Sequence, residues 1–439
     1  MSTVTTSSVT FTPINLGRYL VWGGFALLLI VAPLIFSKGA ALSLLSQIGT
    51  VMIFALSYNM LLGQGGMLSF GHAVYSGLGA FCAIHTMNNT GWGAAVPTSL
   101  IPLVGGVAGM AFGVLFGYVT TKKSGTTFAM ITLGLVELVF ASSLMFPGFF
   151  GGEGGITTNR VRTTTLPDLT MGLGSSITFG PQIQVYYLIA FWLFISTIAM
   201  YAFTQTPLGR MVNAVRDNPE RVEFIGYNTQ WVRYLTLIIS AFFAGISGGL
   251  GAINFEIVSA ENVSAVRSGS VLLFVFIGGI GFFFGPLLGA IVGILFAVVL
   301  SDFTPAWQLY LGLFFILLVR YAPAGLASLL LMLLRVASAG KFKRIVAALL
   351  RVCAAVLIGL MGVIMGIEML YHLTLDAANG PVLTRFGQPV DTHTAGPWLV
   401  AALLLAIGVL AYRKFQPSYY ALWRDVNAEI DARQRGSAV

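Results

Sequence analysis

Long apolar runs alternate with short polar segments along most of this chain. Many runs of about 20 residues carry almost no charge, and that is the length a helix needs to cross a hydrocarbon core of about 30 Å. A transmembrane β-barrel would instead show short segments of alternating polarity. The pattern therefore predicts an all-α, polytopic transmembrane helical bundle. We expect about 10–11 spans, at residues 18–36, 42–62, 72–88, 98–121, 127–147, 185–204, 232–255, 267–301, 305–320, 352–371 and 396–412.

Two glycine-rich segments interrupt these runs, GQGGMLSFGH at 63–72 and GGIGFFFGP at 278–286. Irregular backbone at membrane depth is tolerated only inside protein or along a cavity. Helices broken in this way form the substrate sites of many transporters, so we expect broken or re-entrant helices here. The resulting pathway candidates are Gly65, Gly66, Ser69, His72, Gly278, Gly279 and Gly281.

Ionisable residues inside predicted spans are rare and need separate interpretation. Glu137 is a further pathway candidate, because an acid inside a span is costly and marks function by default. A structural hydrogen bond to a neighbouring helix is the alternative, and we favour it slightly. We interpret His72 as a packed, hydrogen-bonded residue; a role as a ligand is the less favoured alternative. Glu368 lies near the outer end of its predicted span, where its side chain is expected to reach water.

Residues 206–226, TPLGRMVNAVRDNPERVEFIG, form a polar island between two apolar runs. Although the chain is only 9% charged, this island holds three arginines and three acids. Leu208, Val212 and Val215 recur at helical spacing, so one helix face is apolar. Asn218-Pro219 should end that helix and start a second one. The pattern predicts a helix–turn–helix that contacts a soluble partner, with a solvated loop as the alternative.

The formal net charge of +8 does not indicate binding to nucleic acid. Lys and Arg cluster in a few short loops, which is the positive-inside signal of membrane topology. That signal is satisfied when the N-terminus is cytoplasmic. Residues 205–231 then lie inside, and residues 148–184 and 256–266 lie outside.

No catalytic, cofactor or metal site is predicted. The sequence has no Walker A, HExxH or GxSxG motif, and it contains four histidines. Its two cysteines, Cys82 and Cys353, lie within apolar runs and lack the spacing of metal ligands. A membrane-embedded enzyme would carry paired histidines or acids inside its spans, and none are seen. The chain is therefore not expected to be an enzyme.

Four segments together resemble the permease subunits of branched-chain amino-acid ABC importers, specifically their LivM-like half. A single glycine pattern would be a weak signal, but all four occur in the same order and spacing. YAPAGL at 321–326 is similar to the short closing motif of that family. The resemblance covers about 50–326, and the four segments are 57–81, 126–139 with GGEGG at 151–155, 206–252 and 270–293.

The resemblance implies an importer of the bacterial inner membrane that is built from several chains. A periplasmic binding protein would deliver the amino acid, a second permease subunit would complete the pathway through the bilayer, and two cytoplasmic ATPase subunits would supply energy. The polar island would be the coupling loop that docks into the ATPase. Its candidate contact and turn residues are Gly209, Arg210, Arg216, Asp217, Asn218, Pro219, Glu220 and Gly226.

The resemblance also implies a domain organisation. We expect a permease transmembrane domain to be followed by an addition of unknown purpose, because members of the family usually end near the equivalent of residue 330. The short charged tail is interpreted as solvated, with a surface helix as the alternative. The predicted parts are a cytoplasmic N-terminal tail (1–17), the permease domain (18–330), a basic cytoplasmic linker (331–351), a two-span extension (352–412) and a cytoplasmic tail (413–439).

Two departures from the family pattern leave the solute open. Besides the C-terminal addition, the chain carries bulky Phe282-Phe283-Phe284 where the family usually has a small residue. A permease for urea or short amides therefore remains an alternative. A stand-alone secondary transporter is the other alternative, although that class usually shows more ionisable residues deep in its spans.

Overall fold

The computed structural model describes residues 16–89, 96–161, 178–375, 382–383 and 390–436, so most of the predicted N-terminal tail lies outside the described residues. These residues are overwhelmingly helical, which confirms the all-α class. The chain divides into two compact units, Met1–Ile294 and Leu295–Val439. The division falls before residue 330, so the end of the predicted permease domain groups with the extension.

The first unit consists of twelve helices and two short strands in its described part. Three short 3-10 turns and one π turn connect or extend them. The elements are α1 (Leu16–Ile35), α2 (Gly39–Asn59), α3 (His72–Asn88), α4 (Ile101–Thr120), α5 (Gly125–Met145), α6 (Pro147–Phe150), β1 (Ile156–Thr157), α7 (Gln182–Gln205), α8 (Pro207–Asp217), α9 (Pro219–Phe224), α10 (Thr229–Phe255), β2 (Ile257–Val258), α11 (Ala265–Gly278) and α12 (Gly285–Ile294).

The second unit begins with a π turn and contains the longest helices of the chain. Its elements are α13 (Ser301–Phe303), α14 (Trp307–Tyr321), α15 (Gly325–Ser338), α16 (Phe342–Leu375), β3 (Val382–Leu383), β4 (Val390–Asp391) and α17 (Ala395–Gly436). β1 pairs antiparallel with β2, and β3 pairs antiparallel with β4.

Eight helical stretches in the described residues are long and apolar enough to cross a membrane, and a pair bent by 53° would make nine. The bent pair is Trp307–Tyr321 with Gly325–Ser338. Leu20–Ile35 and Ala265–Gly278 are shorter apolar helices. The predicted span 267–301 is broken between α11 and α12, as its length and glycines suggested. The protein is therefore a polytopic helical membrane protein.

Helix α10 occupies the centre of the first unit, packed between α2, α3 and α4. Its contact with α4 is made by backbone against backbone. A Cβ atom at Gly105 would lie 2.5 Å from the carbonyl oxygen of Gly245, and one at Gly109 would lie 2.5 Å from that of Ala241. Lipid offers no hydrophobic drive for helix association, so small residues that permit close packing stabilise the contact.

Helix α3 joins the same contact, so three helices meet at their glycines. A Cβ atom at Gly79 would lie 2.7 Å from the carbonyl oxygen of Gly105 and 2.8 Å from the Cα atom of Gly245. Serine hydroxyls on α10 fasten the fourth helix, α2: Ser240 Oγ donates to the Ser57 carbonyl at 2.6 Å, and Ser247 Oγ donates to the Thr50 carbonyl at 2.7 Å. Such interhelical bonds stabilise by about 0.6 kcal/mol each.

The C-terminal extension is a pair of long helices with opposite directions. Gly359 and Gly362 on α16 lie against Gly408 and Leu405 on α17, and a Cβ atom at Gly362 would be 2.6 Å from the Leu405 nitrogen. The predicted basic linker 331–351 is mostly helical, because α15 and α16 leave only 339–341 between them.

The interpretation of 413–439 as a solvated tail is wrong for its described part. The residues continue α17 to Gly436 instead of leaving the helix. Two apolar side chains of this segment are buried against α15 and α16, and this burial explains why the segment stays helical and packed. The cluster consists of Val336, Ile345, Val426 and Ile430.

The expectation that Glu368 reaches water is also wrong. The residue is only 5% exposed. Thr304 Oγ1 donates to its Oε1 at 2.6 Å, and the Tyr310 hydroxyl donates to the same oxygen at 3.0 Å. Glu368 lines an apolar cavity of about 580 Å³ in the second unit. Polar partners from α14 and the residues before it, which are distant in sequence, hold the carboxyl group inside.

The glycine contact between α4 and α10 can be tested by adding one methyl group. In Gly245→Ala the new Cβ would collide with the Gly105 carbonyl oxygen, whereas in Gly24→Ala on α1 no heavy atom lies within 4 Å. We expect Gly245→Ala to destabilise the protein by about 1–3 kcal/mol, the usual range for overpacking. Gly24→Ala should be neutral or slightly stabilising, since alanine is the better helix former. Thermal unfolding midpoints in detergent measure both, and equal midpoints would contradict the tight contact.

Candidate functional site

The polar island folds as the predicted helix–turn–helix, and its ends are fixed by local capping. The Thr206 hydroxyl accepts a hydrogen bond from the Gly209 nitrogen at 3.1 Å, and a proline opens α8. Asn218 Oδ1 accepts one from the Arg221 nitrogen at 3.0 Å, and Pro219 opens α9. A side-chain acceptor followed by proline is a strong helix start, so the sequence alone dictates both boundaries.

Both predicted turn glycines serve turns, for different reasons. Gly209 is buried, and a Cβ atom there would lie 2.9 Å from the Thr204 Cα atom and collide with the Phe203 carbonyl oxygen. The missing side chain therefore lets α8 fold back against the end of α7. Gly226 has a φ of +91°, a backbone conformation that favours glycine.

The helix pair has a buried apolar face and an exposed charged face. Val212, Val215 and Val222 are buried against the rest of the unit. Of the predicted contact residues, Arg210, Asp217, Pro219 and Glu220 are exposed and Asn218 is half-buried; Arg216 is exposed too, but its guanidinium reaches back to the unit. The charged face is therefore available to another protein, which is what the predicted docking role requires.

Arg216 connects this helix pair to the first glycine-rich segment. Its Nη1 donates to the carbonyl oxygen of Gly63 at 2.5 Å, while its Nε pairs with Asp217 Oδ1 at 2.9 Å. The arginine stem lies against Gly66, where an added Cβ atom would be 2.7 Å from Arg216 Cγ. A residue of the polar island thus holds the backbone of a predicted pathway segment.

The first glycine-rich segment is a true break between α2 and α3. Helix α2 widens into a π turn at Met60–Gln64, and Gly66 then takes a φ of +64°. The chain continues without helix until His72, and the Tyr58 hydroxyl donates to the Ser69 carbonyl at 2.7 Å across this stretch. Gly65 lies against α8, since a Cβ atom added at Gly65 would be 3.4 Å from Val212 Cγ1.

The second glycine-rich segment lies against the first. A Cβ atom at Gly63 would be 2.5 Å from the carbonyl oxygen of Ile280. Gly279 has a φ of +108° at the end of α11. A Cβ atom added at Gly278 would lie 3.0 Å from the backbone nitrogen of Gly289 on α12. Gly281 is exposed. The structure therefore brings both predicted breaks together at one end of the first unit.

The bulky residues that depart from the family pattern belong to an aromatic cluster. Phe283 packs edge-on to Tyr201 of α7 with ring centroids 5.2 Å apart, and Phe284 packs edge-on to Trp22 of α1 at 5.7 Å. The large side chains at the second break thus fill space between α1 and α7.

His72 is a packed residue with a defined tautomer. Its Nε2 lies 3.0 Å from Ser57 Oγ. Because the Ser57 hydroxyl donates its only proton to the Phe54 carbonyl at 2.7 Å, His72 Nε2 must be the donor. The imidazole also stacks on the Phe54 ring at 5.4 Å. Ser69, by comparison, is buried with a hydroxyl that no described residue bonds.

Glu137 does not join the other candidates. It is exposed on α5, beside the exposed residues Leu133 and Leu138. The opposite face of α5 supports the first break, since Thr132 Oγ1 accepts a hydrogen bond from the Phe70 nitrogen at 3.1 Å. Helix α5 therefore carries its single acid on a face that no described part of the chain covers.

Sequence reasoning missed two apolar residues at the end of α9. Phe224, the last residue of the charged helix α9, is 89% exposed, and Ile225, which follows it, is 67% exposed. Large apolar side chains at such exposure commonly mark a contact surface. The sequence does show two adjacent apolar residues just before Gly226. They were missed because the island was interpreted by its charges.

The contact between Gly66 and Arg216 can be isolated with a matched glycine. Gly66 and Gly125 share a φ of +64°, but only Gly66 has a neighbour within 4 Å. Gly125→Ala should cost about 1–2 kcal/mol for the left-handed backbone alone. Gly66→Ala should cost more, because Arg216 Cγ must move.

Adding Arg216→Ala to Gly66→Ala should remove that excess, so the two changes should be non-additive. Thermal midpoints of the single and double variants test this, and additive losses would place Arg216 away from the break.

Comparisons with known proteins agree with this architecture. The family model described as "Branched-chain amino acid transport system / permease component" matches residues 40–322. The match includes both breaks and the α8–α9 pair, and it ends before α15. No solved structure matches the chain.

Several curated relatives are about a quarter identical to this chain over the matched residues. It is 27% identical over 292 residues to the high-affinity branched-chain amino acid transport system permease protein LivM of Escherichia coli (strain K12), covering 63% of this chain and 67% of the relative. It is 26% identical over 317 residues to LivM of Salmonella typhimurium, covering 68% and 73%. It is 27% identical over 267 residues to the galactofuranose transporter permease protein YtfT of Escherichia coli, covering 60% and 69%. Because the family model covers more than half of the chain, this multi-pass membrane protein belongs to the branched-chain amino acid transport system permease family.

Proposed function

We propose that this chain is a permease subunit of an ATP-driven importer for branched-chain or related amino acids in the bacterial inner membrane. The observation that carries the proposal is the bond from Arg216 to the Gly63 carbonyl, which ties an exposed charged helix pair to a broken transmembrane helix. The printed names of the LivM relatives support the substrate class.

The topology that fits this function has a cytoplasmic N-terminus. Basic loops then lie on the inner side, in agreement with the positive-inside rule, and α8–α9 faces the cytoplasm. Two ATPase subunits dock there and hydrolyse ATP, so this chain needs no nucleotide site of its own. A periplasmic binding protein approaches the opposite side, where Glu153 is exposed in the GGEGG turn.

ATP-driven movement reaches the membrane through rigid joints at both ends of the helix pair. Gly209 lets α8 pack directly on the end of α7, and Asn228 Oδ1 caps α10 by accepting from the Gln230 nitrogen at 2.9 Å. Between these joints, Arg216 holds Gly63. Closure of the ATPase pair therefore moves α7, α10 and the first break together, as a rigid-body shift of packed helices.

The docking face combines charge with an apolar centre. Arg210, Asp217 and Glu220 provide the charged rim, and Phe224 with Ile225 provides the apolar part. Interfaces commonly place apolar anchors within such a polar rim, and the anchors carry most of the binding energy. Phe224 is therefore the main anchor of the ATPase contact.

The second permease subunit covers the exposed face of α5. Glu137 lies on that face, and a carboxylate in contact with lipid is costly. A neighbouring polypeptide or the aqueous pathway between two permeases removes that cost. We therefore place Glu137 at the heterodimer contact that encloses the pathway.

The solute is the least constrained part of the proposal. The relative YtfT is named for galactofuranose, so a sugar is the second candidate for the substrate. Urea and short amides are a third class. Binding of radiolabelled leucine, a pentose or hexose, and urea to the cognate periplasmic protein distinguishes them, and leucine should bind most tightly.

If the ATPase docks on the exposed face of α8–α9, substitutions on that face should weaken ATPase binding while the permease itself stays folded. Glu220→Arg and Phe224→Ala should each lower ATPase co-purification at least about 10-fold, because each removes a contact worth roughly 1.4 kcal/mol or more. Asp217→Arg should act in the same direction. Membrane insertion should be unchanged.

Lys414→Glu, a reversal at an exposed residue of α17, is the matched control and should leave co-purification unchanged. If Phe224→Ala and Glu220→Arg retain the ATPase as well as Lys414→Glu does, the docking assignment is wrong.

The position of Glu137 can be tested by photo-cross-linking. A photoreactive amino acid at 137 should form an adduct with the second permease in the assembled complex. The same group at Leu115, which is 61% exposed on α4, serves as the comparison and should label mainly lipid. Mass spectrometry of the adducts reads out both, and lipid adducts alone at position 137 would exclude the heterodimer contact.

A further inference from the structure

A small cavity lies inside the first unit between α3, α10, the 3-10 turn at Ala260–Val263 and the start of α11. Its volume is about 20 Å³, enough for about one water-sized group. Six of its ten lining residues are small, and Phe255, Ile257, Asn262 and Arg267 complete the wall. The small residues are Ser76, Gly77, Ala80, Gly248, Gly251 and Ala252.

The single charged residue that lines this cavity is Arg267, near the start of α11. Its Nη1 reaches Asn262 Oδ1 at a long 3.4 Å, and its guanidinium lies 6.0 Å from the centre of the Phe54 ring. Its Nε is buried and has no hydrogen-bond partner among the described residues. No ion pair joins it to an acid in that part of the chain.

The nearest acids by sequence are engaged or exposed. Glu256 accepts a hydrogen bond from the Arg160 nitrogen at 2.8 Å, and Glu261 is exposed to solvent. A partly buried guanidinium without a counter-charge is costly. Ionisable residues at such positions in membrane proteins mark substrate or ion pathways by default.

The donor geometry of Arg267 indicates the chemistry of the missing partner. Guanidinium groups bind oxyanions through parallel N–H···O bonds, and carboxylates and phosphates both fit this fork. The cavity has room for about one water-sized group, so a bound carboxylate requires its wall to widen. Gly251 offers further space, since no heavy atom lies within 4 Å of its Cβ position.

We propose that Arg267 binds the carboxylate of the transported amino acid in an occluded subsite between α3, α10 and α11. This inference rests on the proposed amino-acid importer function and narrows it, because a neutral sugar or urea has no group for this arginine. The remainder of the solute extends past Gly251 toward the apolar residues Ala252, Phe255 and Ile257.

The subsite is connected to the first break. The Ser268 hydroxyl accepts a hydrogen bond from the Ala73 nitrogen at 2.9 Å, and Ala73 follows His72 at the start of α3. A movement of the first break is therefore transmitted through this bond to α11, next to Arg267. ATP-driven movement at α8–α9 opens the subsite by this route and releases the carboxylate.

Uptake by the complete importer tests the subsite. Proteoliposomes would contain the chain with its partner permease and ATPases, and leucine-loaded binding protein would be supplied at saturation. Arg267→Gln should reduce leucine uptake by about 10- to 100-fold, the range for loss of a charge-assisted bond. Arg267→Lys keeps the charge and should retain more uptake than Arg267→Gln.

A structural role of Arg267 would give a different set of results. If the arginine serves mainly to hold α11 in place, Arg267→Gln should lower the thermal midpoint of the substrate-free complex. The subsite predicts an equal or higher midpoint, because the variant removes an uncompensated charge. It also predicts intact assembly with the second permease and basal ATP hydrolysis within about twofold of the unmodified complex.

Filling the cavity gives an independent test with a matched control. Gly251→Leu should block uptake and Gly251→Ala should reduce it. Gly24→Leu on α1 also enters open space and should leave uptake unchanged. All three replace a helical glycine with a better helix former, so lost folding is not expected.

Three results would overturn the subsite. They are uptake by Arg267→Gln within threefold of the unmodified complex, a lowered thermal midpoint with parallel loss of uptake, and loss of the second permease from the complex. The last would show that Arg267 pairs with a partner carboxylate. If the unmodified complex transports a neutral sugar and no amino acid, the proposed function itself fails instead.

Discussion

Close contact between helix backbones at glycine is the constraint on which the first unit depends. Gly105 and Gly109 on α4, Gly79 on α3 and Gly245 on α10 leave no room for side chains between three helices. Because lipid supplies no hydrophobic drive between helices, this packing and a few serine bonds hold α10 in place. One end of α10 follows the α8–α9 pair, and its last two turns form part of the cavity wall at Arg267. The central helix therefore links the exposed helix pair to the interior of the membrane domain.

The packed helices hold the two broken helices against each other and against the α8–α9 pair. Each break alone is an irregular segment of a kind found in many membrane proteins. Here the Gly63 backbone lies between Ile280 of the second break and Arg216 of the helix pair. The proposed transmission is thus a short series of direct contacts that starts at an exposed charged face and reaches α3 and α11. The second unit, with Glu368 buried beside its own apolar cavity, is not needed for this path.

Sequence reasoning succeeded where the determining contacts are local. The starts of α8 and α9 follow from a side-chain acceptor and a proline in each case, and both breaks were predicted from glycine-rich clusters that interrupt apolar runs. It failed where the partner is distant in the chain. Glu368 was expected in water, but Thr304 and Tyr310 hold it inside; the C-terminal tail stays helical because Val426 and Ile430 pack on α15 and α16. The Arg216 bond to Gly63 and the lack of a partner for Arg267 Nε likewise depend on contacts between residues distant in the chain. Arg267 is the first residue of a predicted span, and nothing in its local sequence indicates that it lies beside a cavity.

The central claim is that this permease uses ATP, through its α8–α9 pair, to import a branched-chain or related amino acid. The most direct measurement is leucine uptake by proteoliposomes that contain the chain with its partner permease and ATPases, with binding protein outside and nucleotide trapped on the ATPase side. The account predicts accumulation of leucine with ATP and none with a non-hydrolysable analogue. Accumulation driven by a proton or sodium gradient in the absence of ATP would contradict it.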